Sequence, residues 1–487
     1  MAYIKILIFS FIFIAVQVAS SHLHAQETAS PVEKLLQEMK PDIELSDLKE
    51  NSQKSTSSLT LDAALANSYL KNPRLQAARA ELRAVDEEYA QAASGLRPSL
   101  NGSAAYTSSR TDDSVQTTSG DPKTLSLEIT QPLYRGGSTL ADILTSENRI
   151  KAQRALLASA EQEILLESVI SYMDVLRDQE IVRLRENNVR VLSEQLSAAK
   201  ERFRLGDLTK TDVSQSEARL ANALAEKVTA EGDLNKSRAL FEKTVGLQAD
   251  NLIVPHEPTV KNPQSLEEAL AQSDTRNPDL LYARYLSNAA QSTTESIRGE
   301  FLPQLDLEGS MARTYDTTNG DSREDSRTIG LRATIPIFSG GGSTYSRLRQ
   351  SRQIETQRKR DITTAERETR ERVIDAWEER VATAAEKQAR LAQIAAAKTA
   401  LEGVKLESDF GARTTLDLLD AEQEYLDAQV AHIISARDHT VAAYSLLSAA
   451  GLLTAEYLQL QTQLYDVDKN FQNVKNRWFG GRIETEE

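Results

Sequence analysis

A mainly helical fold with a small sheet, built twice over in one chain, is what this sequence predicts. Three observations point there. Motifs recur at a spacing of about 205 residues. The chain is poor in breakers, with 20 Gly and 12 Pro in 487 residues, and has helical stretches far longer than a compact domain can hold. Short segments of strict apolar–polar alternation interrupt those stretches.

The repeat can be followed residue by residue. Leu61-Asp62-Ala63-Ala64-Leu65 answers Leu266-Glu267-Glu268-Ala269-Leu270, and Asn72-Pro73 answers Asn277-Pro278. Pro98 answers Pro303. Pro132-Leu133-Tyr134 with Gly136-Gly137 answers Pro336-Ile337-Phe338 with Gly340-Gly341. Gly206, Thr209, Asp212 and Glu217 answer Gly411, Thr414, Asp417 and Glu422. A period this long reads as a duplicated half-protein rather than a solenoid.

Organisation follows in order. Residues 1–25 read as a signal peptide: Lys5 precedes an apolar run from Ile6 to Val16, which is short of the ~20 residues that span a bilayer. Residues 26–58 read as a flexible N-terminal extension. The first repeat, 59–250, is expected to hold a helix over 59–94, strands over 99–110 and 123–134, and helices over 138–205 and 208–246. A linker over 251–263 contains Pro255, Pro258 and Pro263. The second repeat, 264–451, is expected to hold a helix over 265–299, strands over 304–316 and 326–338, and helices over 343–410 and 414–450. A C-terminal segment, 452–487, carries Trp478-Phe479, a candidate anchor on the outside of the assembly.

A 68-residue helix at 1.5 Å per residue is about 100 Å long and needs a partner along its length, as in a coiled coil. The strands are more specific. Leu125, Leu127, Ile129, Gln131 and Leu133 alternate with Ser126, Glu128, Thr130 and Pro132; Ile329, Leu331, Ala333, Ile335 and Ile337 alternate with Gly330, Arg332, Thr334 and Pro336. Such alternation fits a half-buried soluble sheet or a strand between lipid and water. Strand length and the splice into over-long helices favour lipid. Four strands cannot close a barrel, and open edges are not tolerated in lipid, so strands must be pooled between copies; three copies give twelve. The polar loops Thr107–Thr124 and Thr314–Arg327 would then be extracellular. Gly136-Gly137 and Gly340-Gly341 sit where strand becomes helix, with Ser138 or Ser343 placed to cap.

Other classes are disfavoured. A formal charge of −15 argues against nucleic-acid binding, and the absence of cysteine excludes disulfides, thiol chemistry and a lipidated N-terminal cysteine. After the signal only His256, His432 and His439 are left, with no metal-ligand spacing around them, so no metal, cofactor or catalytic constellation is expected.

The duplication, the Pro–aromatic–x–Gly-Gly turns and the stretch Gly411-Ala412-Arg413-Thr414-Thr415-Leu416-Asp417-Leu418-Leu419-Asp420-Ala421-Glu422 together resemble the TolC family of bacterial outer-membrane efflux and secretion ducts, over roughly residues 59–451. The resemblance implies a homotrimer whose strands form a shared β-barrel in outer-membrane lipid and whose helices form an α-barrel tunnel in the periplasm. It implies a periplasmic adaptor and an inner-membrane transporter as partners. It implies a gate at the tunnel's far end, with Asp417 and Asp420 lining the constriction and Arg413, Thr211 and Asp212 linking the closed hairpins, whose tips turn at Gly206 and Gly411. Ser408 stands where some members place a tyrosine, which leaves one tyrosine link out. Asp417 and Asp420 lie one helical turn apart on one face, so three copies would make two anionic rings that favour cations. Such crowding would raise their pKa values. The alternative is a soluble periplasmic coiled-coil adaptor, which should carry separate β domains and a single hairpin.

Overall fold

The structure is a computed structural model that describes residues 58–112, 117–255, 262–316, 322–338 and 340–482. The expected signal peptide, the extension as far as residue 57, His256 and parts of both polar loops lie outside the described residues.

Each repeat opens with two helices where one was expected. In the first these are α1 (Leu61–Lys71) and α2 (Pro73–Ser94). Thr60 caps α1 through the Ala63 amide. The break falls at Asn72 because proline clashes with a helical residue before it; Asn72 is extended at φ −63° and ψ 123°, and its side chain caps α2 through the Arg74 amide. The second repeat breaks likewise at Asn277, between α5 (Leu266–Arg276) and α6 (Pro278–Gly299). Both asparagines also donate across the fold, Asn72 to the Thr244 carbonyl at 2.8 Å and Asn277 to the Ala449 carbonyl at 3.1 Å.

The long helices α3 (Ser138–Arg204) and α7 (Ser343–Asp409) each have 67 residues. Their partners α4 (Lys210–Val245) and α8 (Thr415–Ala449) have 36 and 35. Only the distal half of α3 is therefore paired with α4, antiparallel, through Arg185–Glu226 at 2.6 Å and Lys200–Glu217 at 2.9 Å. Where that pairing stops, α1, α2, the middle of α3 and the end of α4 meet in the main core, which includes Leu65, Leu75, Leu165, Tyr172 and Phe241. Leu452, Leu453 and Ala455 of the C-terminal segment complete it. The Tyr172 hydroxyl lies within hydrogen-bonding distance of the Leu59 and Ile253 carbonyls and accepts from the Ile253 amide, tying both ends of the repeat to this core.

The sheet has four antiparallel strands in the order β1 (Ser99–Tyr106), β4 (Lys123–Arg135), β5 (Gln304–Tyr315), β6 (Arg323–Thr334). A separate hairpin, β2 (Ser109–Asp112) and β3 (Thr117–Gly120), replaces the far end of the first expected strand. The fourth strand ends before Pro336 rather than running to 338. Proline offers no N–H to a ladder, and Pro132 sits instead at a bulge between Pro132 and Tyr134.

Residues directly opposite in antiparallel strands share a face. One face carries the row Leu100–Ile129–Gly309–Ile329, with Leu125, Leu127, Met311 and Leu331 beside it. The other carries Ser103–Ser126–Ala312–Ser326 and Asn101–Glu128–Ser310–Thr328, and below them Arg332 clasps Glu308 in a two-pronged ion pair. The apolar face is bare: Ile329 is 80% exposed and Leu331 66%.

Gly136, at φ +64°, closes the strand-to-helix turn, and a Cβ there would collide with the Gly299 carbonyl, so position 136 needs glycine for conformation and for space. Gly137 is the residue before α3, while Gly340 and Gly341 open a 3-10 turn before α7, all at positive φ. Neither serine caps its helix as expected. Gly137 and Gly342 occupy the cap positions, and Ser138 donates to the Arg135 carbonyl at 2.8 Å. Among the described residues no helix is long and apolar enough to cross a membrane.

Candidate gate at the helical tip

Far from the sheet, each long hairpin turns in the same way. After α3, Gly206 at φ +86° accepts the reversal; after α7, Gly411 at φ +74° does so. The amides at Gly206 and Asp207 bond back to the Phe203 and Arg202 carbonyls, and those at Gly411 and Ala412 to Ser408 and Glu407. This pattern satisfies the last carbonyls of a helix through a left-handed residue. Open space surrounds both glycines, so conformation alone selects them.

The next helices start with matching capping boxes. The Thr209 hydroxyl accepts the Asp212 amide, and the Asp212 carboxylate accepts the Thr209 amide at 2.9 Å. Thr414 and Asp417 repeat this, with the Thr414 amide 3.0 Å from Asp417. These bonds hold both carboxyls below the usual carboxylate range, chiefly through the Thr209 hydroxyl for Asp212 and the Thr414 amide for Asp417. Within one chain, Asp417 is therefore displaced opposite to the rise expected from crowding.

The sequence-predicted residues are distributed as follows. Asp417 and Asp420 lie on successive turns of α8. Asp420 is claimed by Arg219 of α4, whose guanidinium approaches to 2.5 Å. Arg413 does not reach Thr211 or Asp212 within the chain; its Nε donates to Glu407 at 2.8 Å, in its own hairpin. Thr211 is exposed on the first turn of α4.

Sequence reasoning missed the contacts that join the two hairpins. Besides Arg219–Asp420, Gln195 of α3 donates to Glu422 of α8 at 2.5 Å. Burial pushes the Glu422 carboxyl up, against the Gln195 bond and the Lys405 charge. Beside them Leu419 of α8 is buried with Leu192 of α3 and Ala223 of α4. A signal existed: Leu419 and Asp420 answer Ser214 and Gln215 in the first repeat, so these positions had diverged while the caps had not.

A bare-faced amphipathic sheet carried on helical hairpins of this length defines a membrane-seated tunnel protein. The chain matches the family described as outer membrane efflux protein over residues 61–246 and 269–452. It is 35% identical to the outer membrane efflux protein BepC of Brucella suis over 425 residues, 87% of this chain and 92% of that one. It is 26% identical to the outer membrane protein TolC of Vibrio cholerae over 396 residues, 79% of this chain and 89% of that one. The crystal structure of the Campylobacter jejuni CmeC outer membrane channel superposes with a TM-score of 0.74 at 17% identity, over 85% of this chain and 89% of that one, a likeness of fold. The chain belongs to the TolC-like outer membrane efflux protein family, and its place is the outer membrane, with the helical part in the periplasm.

Proposed function

We propose that this chain is one third of a passive outer-membrane exit duct, a conduit and not a catalyst, that takes cargo from an inner-membrane transporter through a periplasmic adaptor. One observation carries the reading: the four-stranded sheet has an apolar face bare to its surroundings and two edges, β1 and β6, that find no partner strand among the described residues. In lipid those edges must be paired, and symmetric association of three copies pairs every one and gives twelve strands. The polar face, with Glu128, Glu308 and Arg332, then lines a wet lumen.

The gate belongs to the tip. Three copies of Asp417 and of Asp420 form two anionic rings; the cap holds Asp417 ionised, which favours a cation-selective mouth. The resting mouth is held by Arg219–Asp420, Gln195–Glu422 and the Leu419 contact, while links to neighbouring subunits fall to Thr211, to Arg413 by exchange of its Glu407 partner and to Asp212 beside its cap. An adaptor meeting the exposed Leu205 and Phe410 at the hairpin ends would lever these contacts apart.

Planar-bilayer conductance of the purified protein tests this, comparing wild type with the Asp417→Ala/Asp420→Ala double variant, with and without millimolar divalent cation. The expected result is a small cation-selective conductance whose divalent block disappears in the variant. A folded, detergent-solubilised oligomer that forms no channel overturns the duct and favours a soluble adaptor.

A further inference from the structure

The C-terminal segment has no counterpart after the first repeat, and its course is specific. From Leu452 it leaves the core, where the Ala455 amide donates to Glu161 at 2.7 Å, and then climbs α2 in the direction of the sheet. The Tyr465 amide donates to the Tyr69 hydroxyl at 3.0 Å, and the Arg79 guanidinium stacks on both tyrosine rings, 4.6 and 5.0 Å from their centres. Higher up, Asn470 donates to the Asp86 carboxylate at 2.8 Å. Phe471 meets Tyr89 edge to face at 5.3 Å within α9 (Lys469–Lys475). At the top, Arg97 donates to the Arg477 carbonyl at 2.8 Å and lies 4.9 Å from the centre of the Trp478 ring. Every turn of this climb is fastened, yet its end is bare: Trp478 is 56% exposed and Phe479 87%.

Arg97 fixes the level of that bare end. It precedes β1 by two residues, and the neighbouring Leu96 carbonyl accepts from Gln131, just above the bulge of β4. There the apolar face of the sheet ends in the row Tyr134–Leu305–Ala333. Its opposite end is the row Tyr106–Lys123–Tyr315–Arg323. From Leu305 to Tyr315 the strand advances about 34 Å at ~3.4 Å per residue. With a strand tilt of ~40° this leaves about 25 Å of height, the apolar band of an outer-membrane barrel between its two aromatic girdles. Trp478 and Phe479 therefore stand at about the level of the lower girdle, the row that holds Tyr134.

From this placement we propose that the C-terminal strap ends in a lipid anchor, with Trp478 and Phe479 seated in the headgroup–acyl boundary of the periplasmic leaflet. The chemistry suits a phospholipid surface. Indole is amphipathic and partitions to that boundary, while Phe479 supplies apolar area. Lys475, Arg477 and Arg482 flank the pair, and no acidic residue occurs between Asp468 and Arg482, in a chain of formal charge −15. Lys475 lies over the Tyr89 and Phe471 rings, which leaves Arg477 and Arg482 as the cations that would meet lipid phosphate. The strap thus couples the periplasmic core to the membrane. The inference rests on reading the sheet's apolar face as lipid-facing.

The full-length protein, reconstituted into phosphatidylcholine vesicles brominated at defined acyl positions, provides the test. The chain has two tryptophans, so the emission lost on Trp478→Phe isolates Trp478 from Trp377. Trp478 emission is expected to be quenched most by bromines near the headgroup and least by bromines at the chain ends, with Trp377 unquenched. A Leu127→Trp reporter in the Trp478→Phe background should be quenched most by the deeper bromines. If Leu127→Trp is quenched and Trp478 is not, the anchor is overturned while the barrel stands, as it would if a neighbouring subunit covered the pair. If neither is quenched, the lipid-facing sheet itself falls, and the anchor with it.

Discussion

At the tip of the first repeat, Glu217 bonds Lys200 of its own hairpin at 2.9 Å. At the matching place in the second repeat, Glu422 feels Lys405 only at a distance and reaches out of its hairpin to Gln195. The neighbouring positions explain the difference. Leu419 is buried against α3 and α4, whereas its counterpart Ser214 is exposed; Asp420 finds Arg219, and its counterpart in the first repeat is the neutral Gln215. Duplication supplied two equal hairpins with equal turns and caps. Two adjacent substitutions decide which leans on the other, and the second repeat is the one that leans.

The apolar contact should dominate that asymmetry. Leu419 is 3% exposed, and truncating a buried leucine costs about 2–5 kcal/mol. Leu419→Ala is expected to release the second hairpin and raise single-channel conductance, with a lower melting temperature for the helical part. Ser214→Ala at the equivalent exposed site should leave both unchanged. Equal effects of the two variants would mean that the hairpins are interchangeable.

The caps sharpen the comparison from the other side, because there the repeats are alike. Thr209→Ala and Thr414→Ala should each cost about 1 kcal/mol and by similar amounts. Their partners Asp212 and Asp417 have depressed folded pKa values, so the stability they contribute is present above the ordinary value of 3.8 and is lost as pH falls through the folded values. Thermal melts of wild type and both variants at neutral pH and near pH 2 check this: the cap effect should shrink in acid for both.

Smaller still is the expected effect of the ion pairs. Both members of Arg219–Asp420 are partly exposed, and such pairs contribute roughly 0–1 kcal/mol. The functional consequence of Arg219→Ala should exceed that figure, since it joins two hairpins and leaves Asp420 unneutralised. Increased conductance and stronger cation preference are expected. Lys200→Ala breaks a pair within one hairpin and should change neither.

Legibility in the sequence followed the range of the interaction. The long helices, their half-length partners and the two-faced strands are set by local periodicity and by few breakers, and the duplication confirmed each element against its copy. The Asn72 and Asn277 breaks were legible too, since a residue before proline leaves the helical region; reading through them was a failure to apply a local rule. The ends of the strands depended on which residues found a ladder partner, so the sequence pattern overran at Pro336. At the candidate gate the turns and caps were visible as Gly-x-x-Thr-x-x-Asp in both repeats. The partners of Asp420 and Glu422 were not, because Arg219 and Gln195 lie 201 and 227 residues away and no local pattern joins them.

The last and subtlest prediction separates the cross-hairpin link from the caps by the sign of its pH response. Burial raises the folded pKa of Glu422 above its ordinary 4.5. Between that value and the raised one the closed arrangement binds the proton more tightly than an arrangement with Glu422 in water. Lowering pH through this window therefore stabilises closure, and raising it withdraws that contribution; the capped aspartates respond oppositely, and only in stronger acid. A protonated Glu422 can still accept from Gln195 and no longer carries an uncompensated buried charge. Conductance should fall as the periplasmic side is taken from neutral to mildly acidic pH. Glu422→Gln should be fixed near the low-pH conductance at every pH, whereas Glu217→Gln, at the matching exposed site in the first repeat, should retain the wild-type profile. A profile unchanged in Glu422→Gln would show that Glu422 is not the group that responds and leave the asymmetry of the two tips to Leu419 and Asp420.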